Sequence, residues 1–382
     1  MTVRNAESEQ SPMSAWDEYP IHQIPAPLRV VGTSDVRAYE RYWFSAADMS
    51  GDFVLMVGMG FYPNLGTVDG YVAWNQGGRH TTVRVHRYLD DDRRTISCGP
   101  LSFEIVEAFK EVRLVLAENE HGLSMDIRFH DTKRPVFADY PLPGPIGRPP
   151  TRTCGYESFG RVEGQVVLDG VAFDLQPETT LGSRDHHWGE RNGVGGPQFA
   201  DNRVRSGHFL QWVKFSDWSI WGMRCLLNPG DPRKGAIAVL RTEQELTFDP
   251  LTDHFIGGVV TNYLANGEVK KITYRQLGDR VIYLRTGMYM GPDFTGTPDE
   301  NYFHGTDVGV TTHRVTYDVT DPKTRIRLGG FEDHLVRATC DGEVTVGLIE
   351  SKNPVPFEWV RDGKPGYRMA ADTLSEQAEQ AE

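Results

Sequence analysis

Between Ser183 and Asn192 the chain reads SRDHHWGERN, which packs two imidazoles, two guanidinium groups, two carboxylates and an indole into ten residues. Three kinds of chemistry suit these types. A carboxylate beside an imidazole orients it and favours its protonated form, so Asp185 with His186 or His187 makes a proton-transfer pair. The face of Trp188 would then stabilise positive charge by cation–π attraction. Such a set could protonate an alkene and shelter the carbocation, or run the reverse elimination or an isomerisation. The second reading is structural. Ion pairs from Arg184 or Arg191 to Asp185 would pin a domain crossing, Trp188 would fill the interface and Gly189 would allow a bend. The third is a metal site. In an extended segment Asp185 and His187 share one face and His186 takes the other, so a third ligand must come from elsewhere. Helical His spacing and Cys pairs are absent. The metal reading ranks last, and no metal site is expected.

Other chemistries find little support. There is no GxSxG, no Walker loop and no GxGxxG after a strand, so neither a serine nucleophile nor an organic cofactor is expected. Cys98, Cys154, Cys225 and Cys340 lie far apart and form no CxxC pair. They read as free thiols in a reducing compartment, with the cytoplasm as the expected location. Glu332-Asp333-His334 is a second acidic–histidine cluster; it could be the partner acid for the motif if it reaches the pocket, but a solvated strand end is the preferred reading. His304, in ENYFHGTD, lies in a loop and could stand near a pocket mouth, but a solvated loop residue is the preferred reading. Tyr42, Trp43, Tyr62, Trp74, Trp212, Trp218 and Trp221 sit on strand-like runs and are expected in the core. Tyr42 is a candidate for lining an apolar pocket.

The elements that must position these groups are β-strands. FVLMVGMGF (53–61), TTVRVHRYL (81–89), EVRLVLA (111–117), SMDIRFH (124–130), FLQWVKF (209–215) and KKITYRQL (270–277) are rich in β-branched and aromatic residues. VRVHRYL and ITYRQL alternate with period two, as half-buried strands should. Asp169-Gly170, Asn266-Gly267 and Asp341-Gly342 supply hairpin chemistry. Amphipathic helices are scarce, and an antiparallel barrel or sandwich is expected. PLPGPIGRPP (141–150) reads as a long loop, and the glycine-rich stretch after Gly189 as the inter-domain crossing. The expected organisation is a flexible arm over 1–20, β domains over 21–190 and 191–368, and an acidic flexible tail over 369–382.

The chain has 382 residues, a net charge of -13, 39% hydrophobic and 24% charged residues. That is a globular profile. The acidic balance argues against nucleic acid and anionic membranes as partners, and no apolar run is long enough to span a bilayer.

Asp185-His186-x-Trp188-Gly189 resembles the Asp-His-x-Trp-Gly signature of the lipocalin-like family that includes carotenoid 1,2-hydratase, kievitone hydratase and the AttH-type proteins. With Arg184 and Arg191 it is similar to the uncharacterised bacterial branch. ERYWFSAADMSGD (40–52), FYPNLGTVDGYVAW (61–74) and GGFEDHLVRA (329–338) extend the resemblance over most of the chain. It implies two consecutive lipocalin-like antiparallel β-barrel domains with few short helices, an apolar pocket near their junction, a hydrophobic and often terpenoid substrate, and no organic cofactor. Two departures stand out. His187 occupies the variable position of the signature. A Tyr-x-Asp pair expected one strand later is Phe215-Ser216-Asp217 here, without the phenol.

The expectation is therefore a cofactor-independent lyase, hydratase or isomerase acting on a hydrophobic small molecule, terpenoid, steroid or aromatic. His186, Asp185 and His187 would carry the proton chemistry. Trp188, Arg184, Asp217 and Tyr42 would bind substrate. The alternative is a non-catalytic intracellular carrier of an apolar ligand, and third a metal-dependent enzyme. The sequence sets no oligomeric state.

Overall fold

A computed structural model describes residues 31–90, 95–142, 151–191, 193–196, 208–222, 224–227, 237–287, 303–329 and 332–352. The expected arm at 1–20, the tail at 369–382, most of the Pro-rich loop and most of the glycine-rich crossing lie outside these residues.

The first half of the chain builds β1 (Ala38–Asp48), β2 (Phe53–Tyr62), β3 (Thr67–Gln76), β4 (Arg79–Tyr88), β5 (Ile96–Cys98), β6 (Leu101–Glu107), β7 (Glu111–Leu116), β8 (Leu123–Asp131), β9 (Val136–Leu142), β10 (Thr151–Leu168), β11 (Val171–Leu175) and β12 (Thr180–Glu190). The second half builds β13 (His208–Lys214), β14 (Trp218–Trp221), β15 (Arg224–Leu227), β16 (Ile237–Phe248), β17 (Phe255–Leu264), β18 (Val269–Tyr283), β19 (Thr311–Asp318), α1 (Pro322–Leu328), β20 (Glu332–Cys340) and β21 (Glu343–Lys352). All pairings are antiparallel. One curled sheet runs β19-β4-β3-β2-β1-β12-β10-β8-β7-β6-β5, with β9 and β11 paired on β10. The other is a closed barrel of β13 to β18, β20 and β21. The fold is the expected all-β, two-domain, lipocalin-like architecture. One strand trades sides: β19 comes from the second half of the chain yet pairs with β4 at the edge of the first sheet.

Local chemistry explains the hairpins. Asp169 and Gly170 have φ of 52° and 82°, and Asp341 and Gly342 have 50° and 83°. Two successive positive φ values are the type I′ geometry that matches strand twist. These turns join β10 to β11 and β20 to β21.

Inside the curled sheet, Phe53 stacks on Trp74 at 4.6 Å, and Phe44 meets Phe129 edge-on at 5.6 Å. Val72, Val83, Leu114 and Val162 complete this core. The outer face is also covered. Trp43, Met56, Tyr71, Ala73 and Leu181 pack against Ile282, Leu284, Leu335, Val346 and Leu348 of the barrel. The alternation of VRVHRYL predicts a half-buried β4, but the strand is buried on both faces along most of its length. Its polar residues His80, Thr82, Arg84 and His86 turn toward the second half of the chain rather than to solvent.

Asn75 shows how the halves are coupled. The pairing of β18 with β20 slips between Gln276 and Val281. The Asn75 amide, on β3, donates to the carbonyls of Asp279 and Val281 at 2.7 and 2.8 Å. Asn75→Ala would leave these carbonyls without that donor at the junction. A loss of about 2–3 kcal/mol is expected in urea unfolding, with a separate transition for the barrel by calorimetry. A single transition with wild-type midpoint would show that the coupling lies elsewhere.

Candidate functional site

β12 lies between β1 and β10. His186 faces Tyr42 on one neighbour and Tyr156 on the other; Asp185 faces Trp43 and Glu157; His187 faces Arg41 and Gly155. Period-two alternation therefore splits the motif. Arg184, His186 and Trp188 point into the first β domain, and Asp185 and His187 point to its junction with the barrel.

On the inner face, Arg184 donates to both oxygens of Asp131 at 2.9 and 2.6 Å and to the Tyr156 hydroxyl at 3.1 Å. Its guanidinium lies 5.2 to 5.9 Å from the rings of Tyr156, Phe129 and Phe44. The His186 Nε2 is 2.9 Å from Glu40 Oε1, and its ring stacks on Tyr42 at 4.0 Å. Tyr156 and Trp188 meet that ring edge-on. Trp188 packs in turn with Phe109 and Phe137.

On the junction face, Asp185 Oδ2 lies 3.7 Å from Arg41 and 3.8 Å from His187 Nδ1. His187 Nε2 is 3.3 Å from Glu157, whose other oxygen accepts from Trp212 Nε1 at 3.3 Å. Trp212 belongs to the barrel, and its ring sits 5.9 Å from Trp43. Gly155 makes this arrangement possible, since a Cβ there would run into the His186 carbonyl and the His187 ring. Gly189 has φ of 130° and approaches the Arg152 carbonyl just as closely.

The electrostatics differ between the faces. Burial raises the Asp185 carboxyl above the usual aspartate range, with Glu157 adding to the rise and His187 and Arg41 opposing it. Asp333, on β20 across the junction, is pushed well above that range by burial and by the nearby Glu350, Glu332 and Asp185. Two carboxyl groups are thus held toward their neutral, proton-bearing form. Solvent access differs too. Side-chain exposure is 12% for His187 and 8% for Asp185, against none for His186 and Arg184.

The structure therefore separates residues that the sequence reading grouped. Asp185 meets His187 and Arg41, whereas His186 takes Glu40 as its partner. Tyr42 and Trp188 both pack on His186, and Arg184 is committed to Asp131. Asp217 joins neither face. Phe215 stacks on Trp218 at 4.4 Å and folds the segment into a tight turn, which leaves Asp217 exposed between β13 and β14. Nor is His304 solvated. It is buried 3.5 Å from Asp69 and stacked on Tyr62, and burial lowers its pKa to about 4. Glu332, Asp333 and His334 are buried as well. Glu40, Arg41, Tyr156 and Glu157 were not singled out as site residues, whereas Asp333 belongs to the acidic–histidine cluster considered as a partner acid for the motif. Alternation along ERYWF would have placed Glu40 with Tyr42 and Arg41 with Trp43, but nothing local marks the partners on β10. Among the described residues no group of three or more His, Cys, Asp or Glu side chains is arranged to hold a metal ion. Among them, too, no helix is long and apolar enough to cross a membrane.

This is the architecture of the lipocalin-like AttH-type proteins. A putative AttH from Nitrosomonas europaea superposes with a TM-score of 0.50 at 11% identity, over 93% of this chain and 99% of that one. CghA and the kievitone hydratase of Nectria haematococca are more distant in shape, with TM-scores of 0.46 and 0.39, each at 11% identity. They cover 83% and 87% of this chain, and 88% and 97% of their own. Such identities speak for the fold alone. Residues 13–224 match the model of a family of unknown function, DUF8625, and the chain belongs to that family. No functionally curated protein matches it.

Two tests follow from the two faces. Arg184→Met strands a buried carboxylate and should cost about 3–5 kcal/mol in urea unfolding, with most of the loss recovered by adding Asp131→Leu. Equal loss in the double variant would mean that packing, not charge, is at stake. At the junction, an aspartate with a raised folded pKa contributes its full stability below about pH 4 and loses it as pH climbs through the folded value. Asp333→Asn should therefore gain on wild type toward neutral pH and match it near about pH 4. A gap between the two that does not change with pH would contradict the assignment.

Proposed function

We propose that the protein is a cofactor-independent lyase, hydratase or isomerase, with its proton chemistry at the junction of the two β domains. The observation that carries this reading is Asp185. It is a buried carboxyl held toward its neutral form, 3.8 Å from an imidazole, on the same sheet face as Trp43 and near a second tryptophan, Trp212. A neutral carboxyl in an apolar site is a usable general acid. Asp185 gives its proton to a π bond of the substrate, and the indole faces stabilise the cation that forms. The Asp185 carboxylate or the His187 imidazole then takes a proton from the adjacent carbon, which shifts the double bond. Alternatively water adds to the cation and gives up its proton, which hydrates it. Glu157, opposite Asp185 on β10, adds to the field that holds the proton on Asp185.

The aromatic and aliphatic side chains at the junction, Trp43, Trp212, Phe159, Trp221 and Leu181, suit a hydrophobic substrate such as a terpenoid, steroid or aromatic compound. His186, on the reverse face with Glu40, holds β12 in place and does not touch the substrate.

The test begins with organic extraction of the purified protein and mass spectrometry of the retained compound. Incubated with wild type in D2O, that compound should gain deuterium at carbon or change mass by one water. Asp185→Asn should slow this about 100-fold or more, and His187→Gln should also slow it, while His186→Gln leaves it within a few-fold. Tight binding without exchange or conversion by wild type would make the protein a carrier.

A further inference from the structure

The barrel of the second domain contains a buried polar group that the junction chemistry does not use. Glu332 and His334, on β20, point inward together with Val336, Ala338 and Cys340 of the interior core. Beneath α1, His254 sits beside them, its ring 5.7 Å from that of His334. The His254 Nδ1 lies 2.8 Å from the Thr252 carbonyl and so carries the proton it donates there. Its Nε2 is then left to accept from the Tyr283 hydroxyl at 2.9 Å. This pair is complete.

His334 is not. It is wholly buried, and among the described residues neither ring nitrogen meets a hydrogen-bond partner. Glu332 Oε2 is equally orphaned, and Glu332 Oε1 is 3.8 Å from His334 Nε2, too far for a direct bond. Burial presses the Glu332 carboxyl upward, but His334, His254 and Arg285 overcome that and keep it ionised. A buried polar group left unmatched is costly, and native proteins satisfy such groups.

A second observation points the same way. Phe209, Leu246 and Phe248 pack against the interior cluster yet remain only half-buried, so this side of the cluster reaches the surface. Phe209 and Phe248 each lie 6.1 Å from Phe255, and Phe255 lies 5.9 Å from His334. Aromatic rings thus lead from the surface-reaching side of the cluster to the orphaned pair.

We infer that the second barrel is a separate binding site for a slender lipophilic alcohol. The hydroxyl donates to Glu332 and accepts from the His334 N–H, and the hydrocarbon lies along Phe255, Phe209 and Phe248. The chemistry selects against close relatives. A carboxylate head would face the Glu332 anion, and an ammonium head could not accept from His334.

The experiment titrates the full chain with decanol and with decanoate, followed by calorimetry. Decanol should bind saturably and at least 10-fold more tightly than decanoate. His334→Leu should weaken decanol at least 10-fold, and Glu332→Gln should narrow the gap by admitting decanoate. Asp185→Asn should leave decanol binding unchanged, which keeps this site distinct from the junction. Equal binding of the two probes, or decanol binding that survives His334→Leu, would overturn the inference. So would no binding of either, since a buried water would then satisfy the pair. Should His334→Leu fail to fold, the wild-type comparison of the two probes decides alone.

Discussion

Everything at the site depends on β12 being a central strand. It is hydrogen-bonded to β1 along one edge and β10 along the other, so neither edge is free and its register cannot slip. Its two faces meet different surroundings, one the interior of the first domain and the other the barrel. A sheet with both faces covered usually reads as a continuous apolar run. Here the run is interrupted by charges, and each buried charge is matched on its own side: Arg184 with Asp131, His186 with Glu40, Asp185 with Arg41 and His187. The dense motif is two polar networks back to back, sharing one backbone.

That arrangement divides the labour. The inner network is sealed. Arg184 and Asp131 have no exposed side-chain surface, and the surrounding aromatic rings leave water little access. Such a pair holds a strand at a defined depth rather than reacting. The junction network is looser, with longer ion-pair distances and some exposure. Its carboxyls, Asp185 and Asp333, come from different halves of the chain, and both are held toward the neutral form, chiefly by burial. The site exists only once the halves are packed. Trp212, Asn75 and the crossing strand β19 all serve that packing.

The contrast between the domains is also informative. Both are antiparallel and curled around apolar cores, but their polar contents differ. The first places charges in partnered pairs around β12. The second keeps an ionised Glu332 beside His334, whose ring nitrogens meet no hydrogen-bond partner among the described residues. An incomplete polar pair in an otherwise packed barrel is a stronger sign of an occupant than a large number of completed ones.

The sequence by itself determined a good deal. β-branched runs and Asp-Gly turns specify the strands and hairpins, because both act through local backbone preference. The alternation of Asp185, His186 and His187 specifies that the two imidazoles part company, because side chains in a strand alternate whatever the fold. What the tertiary structure decided is which partner each received. Asp185 precedes His186 in sequence, yet Glu40, 146 positions away, is the residue that meets it. Asp217 looked like a nearby acid but stands on an exposed turn, and Asp333 looked solvated but is buried at the junction. Adjacency in a strand puts neighbours on opposite faces, so the contacts that tune a proton come from the strands on either side and from the opposing domain. Those are long-range pairings, and only packing sets them.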